Sequence, residues 1–297
     1  MSIGSLLYHT RVKFKHGLRT AYYRDVVRPR ILQTRPVTDT SDLSCEIHVL
    51  TSASDWLNLL WALKSFYHYS KRHYALCIHD DGSLTDDIRA TLLKHFPQAR
   101  LVKRADADQH AYERLENYPR SLEFRKKNLL APKIFDFPAE AKSKRMLLLD
   151  SDVLFFAEPT TLLERIEDPN YQLNTVNRDA KEASLVDPKT VKQQTGVNCV
   201  ECFNSGLGLI FIDSLRLDWI EEFLKIPNIN EHFWRIEQTL YMLCSARFGC
   251  EILPESYNVH LTPGSLYQSR HYVGSIRHLM YSEGIKRLVR DNFLSLK

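Results

Sequence analysis

The chain lacks any apolar run of the 18 or more residues that a membrane-spanning helix needs. Its start, from Met1 to Lys13, meets charge at Arg11 before a secretory apolar core forms. A cytoplasmic protein is the expectation. Six cysteines in 297 residues are too few for a disulfide scaffold, and of these only Cys199-Val-Glu-Cys202 has metal-ligand spacing. Cys244 and Cys250 do not supply the second pair of a structural zinc site, so free, buried thiols are expected. No Gly-x-Gly-x-x-Gly follows the first strand, and no Gly-x-x-x-x-Gly-Lys-Ser/Thr occurs, which excludes a dinucleotide-binding Rossmann domain and a P-loop NTPase. A Gly-x-Ser-x-Gly nucleophile elbow is missing too.

A large charge of either sign is also missing. Lys and Arg number 40 against 36 for Asp and Glu, and residues 1–40 carry eight of the basic residues against Asp25 and Asp39. The arm is therefore +6 and the remainder −2, so no basic face is spread over the body for nucleic acid. Residues 1–40 read as a basic N-terminal arm, either a solvated tail or a peripheral contact to an anionic membrane face. The whole chain is 44% hydrophobic and 26% charged, the make-up of a folded protein, and residues 41–297 read as one domain.

Within that domain strands alternate with helices. Cys45–Thr51 is a β-branched run that ends in the polar cluster Thr51-Ser-Ala-Ser-Asp55, and Ser54 or Asp55 is placed to cap a helix over Trp56–Tyr69. Tyr74–His79 reads as a second strand, Asp80–Ser83 as its exit loop, Thr85–His95 as a helix and Ala99–Lys103 as a third strand. This alternation predicts an α/β fold, a mostly parallel central sheet flanked by helices, with ligands bound beyond the carboxyl ends of the strands.

The chemistry concentrates at Arg145-Met-Leu-Leu-Leu-Asp150-Ser-Asp152-Val-Leu-Phe-Phe156. Four apolar residues predict a buried strand, and in an extended chain Asp150 and Asp152 point the same way. Two converging carboxylates repel unless a divalent cation with oxygen ligands sits between them. Asp106-Ala-Asp108 repeats the pattern without a buried strand after it and reads as a solvated loop. Three further segments matter. Cys202-Phe-Asn204-Ser205-Gly206 opens another buried strand, Ile236-Glu237-Gln238 puts an acid and an amide at the start of an apolar helix, and His271-Tyr-Val-Gly274-Ser-Ile-Arg277 offers an imidazole, a glycine and a cation.

In this order the motifs resemble the GT-A glycosyltransferases, and among them glycosyltransferase family 8, the retaining enzymes related to glycogenin and bacterial lipooligosaccharide galactosyltransferases. The resemblance covers about residues 45–280, with Glu237 in place of the family's usual Asp and Arg277-His278-Leu279 in place of its Lys-Pro-Trp. It implies a Rossmann-like GT-A domain over residues 41–297 that transfers a sugar from a nucleoside-diphosphate donor to an acceptor hydroxyl. It also implies Mn²⁺, or Mg²⁺, held by Asp150, Asp152 and His271, with Lys133 and Arg277 near the diphosphate and Thr51 and Ser52 at the nucleoside. Asn204, Ser205 and Gly274 would line the substrate pocket, and Glu237 and Gln238 would stand near the reacting carbon. A carbohydrate, lipid-linked or other hydroxyl compound is the implied acceptor. A nucleotidyltransferase, and a non-catalytic nucleotide-sugar-binding module, stay open beside this reading.

Overall fold

A computed structural model describes residues 14–264 and 267–295. The first strand, β1 (Asp42–Thr51), sets the layers of the fold. Successive side chains of a strand point to opposite faces, so Cys45, Ile47 and Val49 enter one core while Glu46 and His48 face the other way. Helix α2 (Trp56–Ser70) buries Leu59, Leu60, Trp61, Leu63 and Phe66 completely against the first core. Each such side chain contributes about 1.5–3 kcal/mol.

The chain then runs through β2 (Tyr74–Asp80), α3 (Asp86–His95) and β3 (Arg100–Val102), close to the sequence expectation. Thr85 caps α3 by accepting from the Ile88 N–H. Next come α4 (Arg104–Arg114), α5 (Pro119–Lys127), α6 (Ala131–Glu140), β4 (Arg145–Leu149) and β5 (Val153–Phe155). They are followed by α7 (Thr160–Glu167), β6 (Asn174–Arg178), α8 (Pro188–Thr195), β7 (Phe203–Phe211) and α9 (Leu217–Phe223). Helix α10 (Ile236–Phe248) leads to β8 (Cys250–Ile252), β9 (Ser269–His271) and a helical stretch from Gly274 to Arg290.

Seven strands form the central sheet in the order β3-β2-β1-β4-β7-β6-β8, and β5 pairs with β9 in a separate ribbon. Of the seven only β7 is reversed, being antiparallel to both β4 and β6. This reversal positions the site: the exit of β4 and the start of β7 lie at the same edge. The Asp150 N–H donates to the Gly206 carbonyl at 2.8 Å across them. A second core, containing Ile134 and Phe137 of α6 and Leu240 and Leu243 of α10, covers the other face of the sheet.

Three sequence expectations change. Asp106 and Asp108 lie in a helix, α4, rather than a loop. Asp150 and Asp152 converge through a turn, closed by the Val153 N–H on the Asp150 carbonyl at 3.2 Å, rather than along one extended strand. Asp55 precedes α2 as expected but makes no capping bond to its backbone; the Ser52 carbonyl accepts from the Asp55 and Trp56 N–H groups instead.

All six thiols are free. Cys45, Cys77 and Cys244 are buried and the other three half-buried, and Cys199 and Cys202 join no metal-binding group among the described residues.

Arg11 and Lys13 of the basic arm lie outside the described residues. From Gly17 to Gln33 the arm is helical, opening with α1 (Gly17–Tyr22), Val27 and Ile31 are buried in the first core, and the Trp61 indole N–H donates to the Arg28 carbonyl at 3.0 Å. Among the described residues no helix is long and apolar enough to cross a membrane.

Candidate active site

β4 ends at Leu149, and the turn that follows presents two carboxylates of unequal exposure. The Asp150 side chain is 31% exposed and that of Asp152 only 3%. Pairing of β5 with β9 sets Val153 opposite His271, which swings the imidazole over the turn. His271 Nε2 lies 3.1 Å from Asp152 Oδ1 and 3.8 Å from Asp150 Oδ2.

The other ring nitrogen fixes the tautomer. Asn204 Oδ1 accepts from the Gly206 N–H at 3.0 Å, so this atom is the amide oxygen, and His271 Nδ1, 2.9 Å away, must be the donor to it. Nε2 is then left to meet a cation or carry a second proton. Gly206 is required by this packing: a Cβ there would come within 2.1 Å of His271 Cε1.

The electrostatics follow from burial and pairing. Burial alone would push the Asp152 carboxyl up, but the charges on His271 and Arg277 outweigh it and hold Asp152 well below the usual carboxylate range. Burial also opposes charge on His271, and Asp152 with Asp150 reverses this, so the imidazole is raised. Arg277 Nη2 reaches Asp152 Oδ2 at 2.6 Å, and Nη1 reaches both oxygens of Asp55 at 3.3 Å.

Lys133 projects from α6 into the same centre, where its Nζ lies 3.0 Å from Asp150 Oδ1 and 2.9 Å from Glu237 Oε1. Burial opposes its charge, but these two carboxylates raise it above the ordinary lysine value. Glu237, in the first turn of α10, is buried, and its second oxygen accepts from the Ser205 hydroxyl at 3.1 Å. Burial raises its carboxyl, Lys133 pulls it down and Asp150 pushes it up again, for a net rise. Gln238, half-buried, accepts through Oε1 from the Ser205 N–H at 3.3 Å and the Asn204 amide at 3.5 Å.

The ion-paired groups thus comprise the carboxylates of Asp55, Asp150, Asp152 and Glu237 against the cations Lys133 and Arg277. With His271 neutral, the cluster is two positive charges short.

The remaining expected residues sit at the same edge of the sheet or on its margin. Thr51 ends β1, and its hydroxyl is buried with no hydrogen-bond partner. The Ser52 hydroxyl is bonded to that of Ser54 at 2.8 Å. Gly274 is exposed, and a Cβ there would meet nothing within 4 Å.

Two carboxylates at this edge escaped the motif reading. Asp55 was read only as a helix cap. Asp179, just past β6, accepts from the Asn204 amide at 2.9 Å. The available signal was positional, because an acid one residue beyond a strand exit is placed as Asp150 is.

No protein-family model matches the chain, and no curated protein matches it. Among solved structures, the galactosyltransferase LgtC in complex with donor and acceptor sugar analogs superposes with a TM-score of 0.53 at 15% identity, over 82% of this chain and 94% of that one. An active-site mutant of LgtC gives 0.54 at 15% identity, over 83% and 95%. The apo WbbM bifunctional glycosyltransferase gives 0.51 at 11% identity, over 80% of this chain and 47% of that one. At such identities the likeness is one of architecture, and the architecture of this chain is the GT-A fold.

Proposed function

We propose that the chain is a glycosyltransferase that moves a sugar from a nucleoside-diphosphate donor, a uridine diphosphate sugar first among them, to an acceptor hydroxyl with retention of configuration. The observation that carries this is the convergence of Asp150, Asp152 and His271 at the strand-exit edge of a GT-A sheet. The donor set fits a divalent cation. It offers carboxylate oxygens and an imidazole whose far nitrogen is pinned by Asn204, and with that imidazole neutral the ion-paired groups are two positive charges short. Mn²⁺ tolerates such a mixed oxygen and nitrogen set better than Mg²⁺ does. When bound, the ion would supply charge neutralisation to the diphosphate and to the departing nucleoside diphosphate.

The protein's own groups divide the remaining tasks. Asn204 holds the imidazole in the tautomer that presents Nε2. Glu237 has one oxygen on Ser205 and the other on Lys133, so it anchors the lysine rather than attacking the sugar. Lys133, fixed beside Asp150, adds a cation for the diphosphate end of the donor. Gln238, its carbonyl oriented by Ser205, faces the sugar and supports a carbocation-like transition state. The partnerless Thr51 hydroxyl suits a contact with the nucleoside, helped by Ser52. Gly274 leaves room beside the donor, and Arg277, held between Asp152 and Asp55, closes it. The acceptor is a carbohydrate, lipid-linked or other hydroxyl compound, and the basic arm is a contact for an anionic membrane face.

Calorimetry of UDP with and without Mn²⁺ tests the reading, followed by NMR of the product anomer from a panel of UDP-, GDP- and CMP-sugars. Binding is expected only with the metal, and the product is expected to keep the donor's configuration. Equal UDP affinity with and without Mn²⁺, or no turnover of any donor, overturns the reading.

A further inference from the structure

A second group of metal-ligating side chains lies inside the sheet, away from the site described above. His48 stands on β1, and Cys77 and His79 stand on β2, whose register sets His48 opposite Cys77. All three are at most 2% exposed. They face the core that holds Met146 and Leu148 of β4, and Phe137 of α6 packs on both imidazoles, with ring centroids 4.4 Å from His79 and 5.4 Å from His48. Polar groups placed there need partners.

A hydrogen-bonded chain satisfies only some of them. Glu46 Oε2 lies 3.2 Å from His48 Nε2, an ion-pair distance without hydrogen-bond alignment, and its charge favours the proton on Nε2, with the Nδ1 lone pair facing inward. Glu46 is itself secured by Arg100 at 2.7 Å and by the Lys142 N–H at 2.6 Å. His48 Nδ1 is 3.1 Å from His79 Nε2, and Cys77 Sγ is 3.4 Å from that same nitrogen. His79 Nδ1 is buried with no partner.

We infer that His48 Nδ1, Cys77 Sγ and His79 Nε2 form a second metal site, one for a thiophilic divalent cation, Zn²⁺ before others, that ties β1 to β2. The spacings fit. Zn–N bonds of about 2.0–2.1 Å and a Zn–S bond of about 2.3 Å give tetrahedral edges of about 3.3 Å between nitrogens and about 3.5 Å between nitrogen and sulfur. The donor types fit as well, since imidazole and thiolate together select Zn²⁺ over Mg²⁺ or Ca²⁺. Glu46 behind His48 makes the carboxylate–histidine arrangement that orients a metal-bound imidazole. A cavity of about 220 Å³, lined by Glu46, Ala75, Arg100 and Lys142 among others, brings solvent to that carboxylate.

Binding balances simply. Zn²⁺ displaces the Cys77 thiol proton to solvent and forms the Zn–S bond. The His79 proton passes from Nε2 to Nδ1, which lacks a partner in either form, so one proton leaves per ion. Burial pushes the free Cys77 thiol up to about 12, and it lowers both imidazoles, so without a cation the thiol is protonated and the rings are neutral.

The test is metal analysis of the full chain purified without chelator, followed by Co²⁺ replacement. About one Zn²⁺ per chain is expected, with a thiolate-to-cobalt charge-transfer band in the near ultraviolet after exchange. Cys77→Ser should abolish the band and weaken Zn²⁺ binding at least 100-fold. Asp152→Asn should keep the band, so failure of the proposed transferase reading and failure of this one are told apart. A wild-type chain that is folded by circular dichroism yet shows no thiolate band overturns the inference, whatever the variant does. A band that survives in folded Cys77→Ser overturns it too.

Discussion

Asp-x-Asp occurs twice in this chain, and the two copies share nothing beyond their spelling. Asp106 and Asp108 ride on α4, where successive residues turn by about 100°, so side chains two apart diverge. Asp106 is exposed, while Asp108 is neutralised locally by Arg104 at 2.6 Å and by Arg125 at 2.7 Å. Asp150 and Asp152 sit on a turn between two sheets, where both carboxylates meet one imidazole. Backbone geometry, together with where the neutralising charge comes from, separates a surface pair from a cation site.

The sharpest way to break this contrast is Asp152→Asn. Losing the buried carboxylate should cut Mn²⁺-dependent UDP affinity at least 100-fold, about 2.7 kcal/mol, in a calorimetric titration. Unchanged affinity would place the two copies on the same footing. Gly206→Ala tests the imidazole without touching a ligand. The new methyl overlaps His271 Cε1, so Mn²⁺ affinity should fall about 10–100-fold while circular dichroism stays native. If the metal still binds as before, His271 is not a ligand. Asp108→Asn should have the smallest effect. Arg125 keeps both bonds to Asp136 at 2.7 Å, so urea unfolding should report a loss of about 1 kcal/mol or less, with UDP binding intact. A loss of nucleotide affinity in that variant would show that the helical copy also serves the site.

Periodicity made much of the fold readable. The run at Cys45–Thr51 alternates apolar and polar residues, those at Tyr74–His79 and Arg145–Leu149 are mostly apolar, all are flanked by polar loops, and each forms a central strand. Strand direction is not encoded in such runs, because a buried antiparallel strand reads like a parallel one, and so the reversal of β7 was not visible. Helix α4 was missed because its buried stripe consists only of small residues, Ala107 and Ala111, among charged ones. At the site, order along the chain brought out Asp150, Asp152, Asn204, Glu237, Gln238, His271 and Arg277. The ion pairs that tie these residues to the rest of the site, Lys133 to Glu237 and Arg277 to Asp55, join positions more than a hundred residues apart, and no local pattern encodes that distance.

The ribbon of β5 and β9 also bears on the order in which the protein becomes competent during synthesis. Arg277 follows its carboxylate partner Asp152 by 125 positions, and His271 arrives on the same late ribbon. As the chain leaves the ribosome, the acidic turn is complete long before the imidazole and guanidinium that neutralise it. Until then its carboxylates repel each other, and Lys133, at Asp150, is the one cation of the site already made. Contacts this distant in sequence form late, and a chain truncated ahead of residue 271 keeps most of its sheet but no means of gathering the acidic turn into a site.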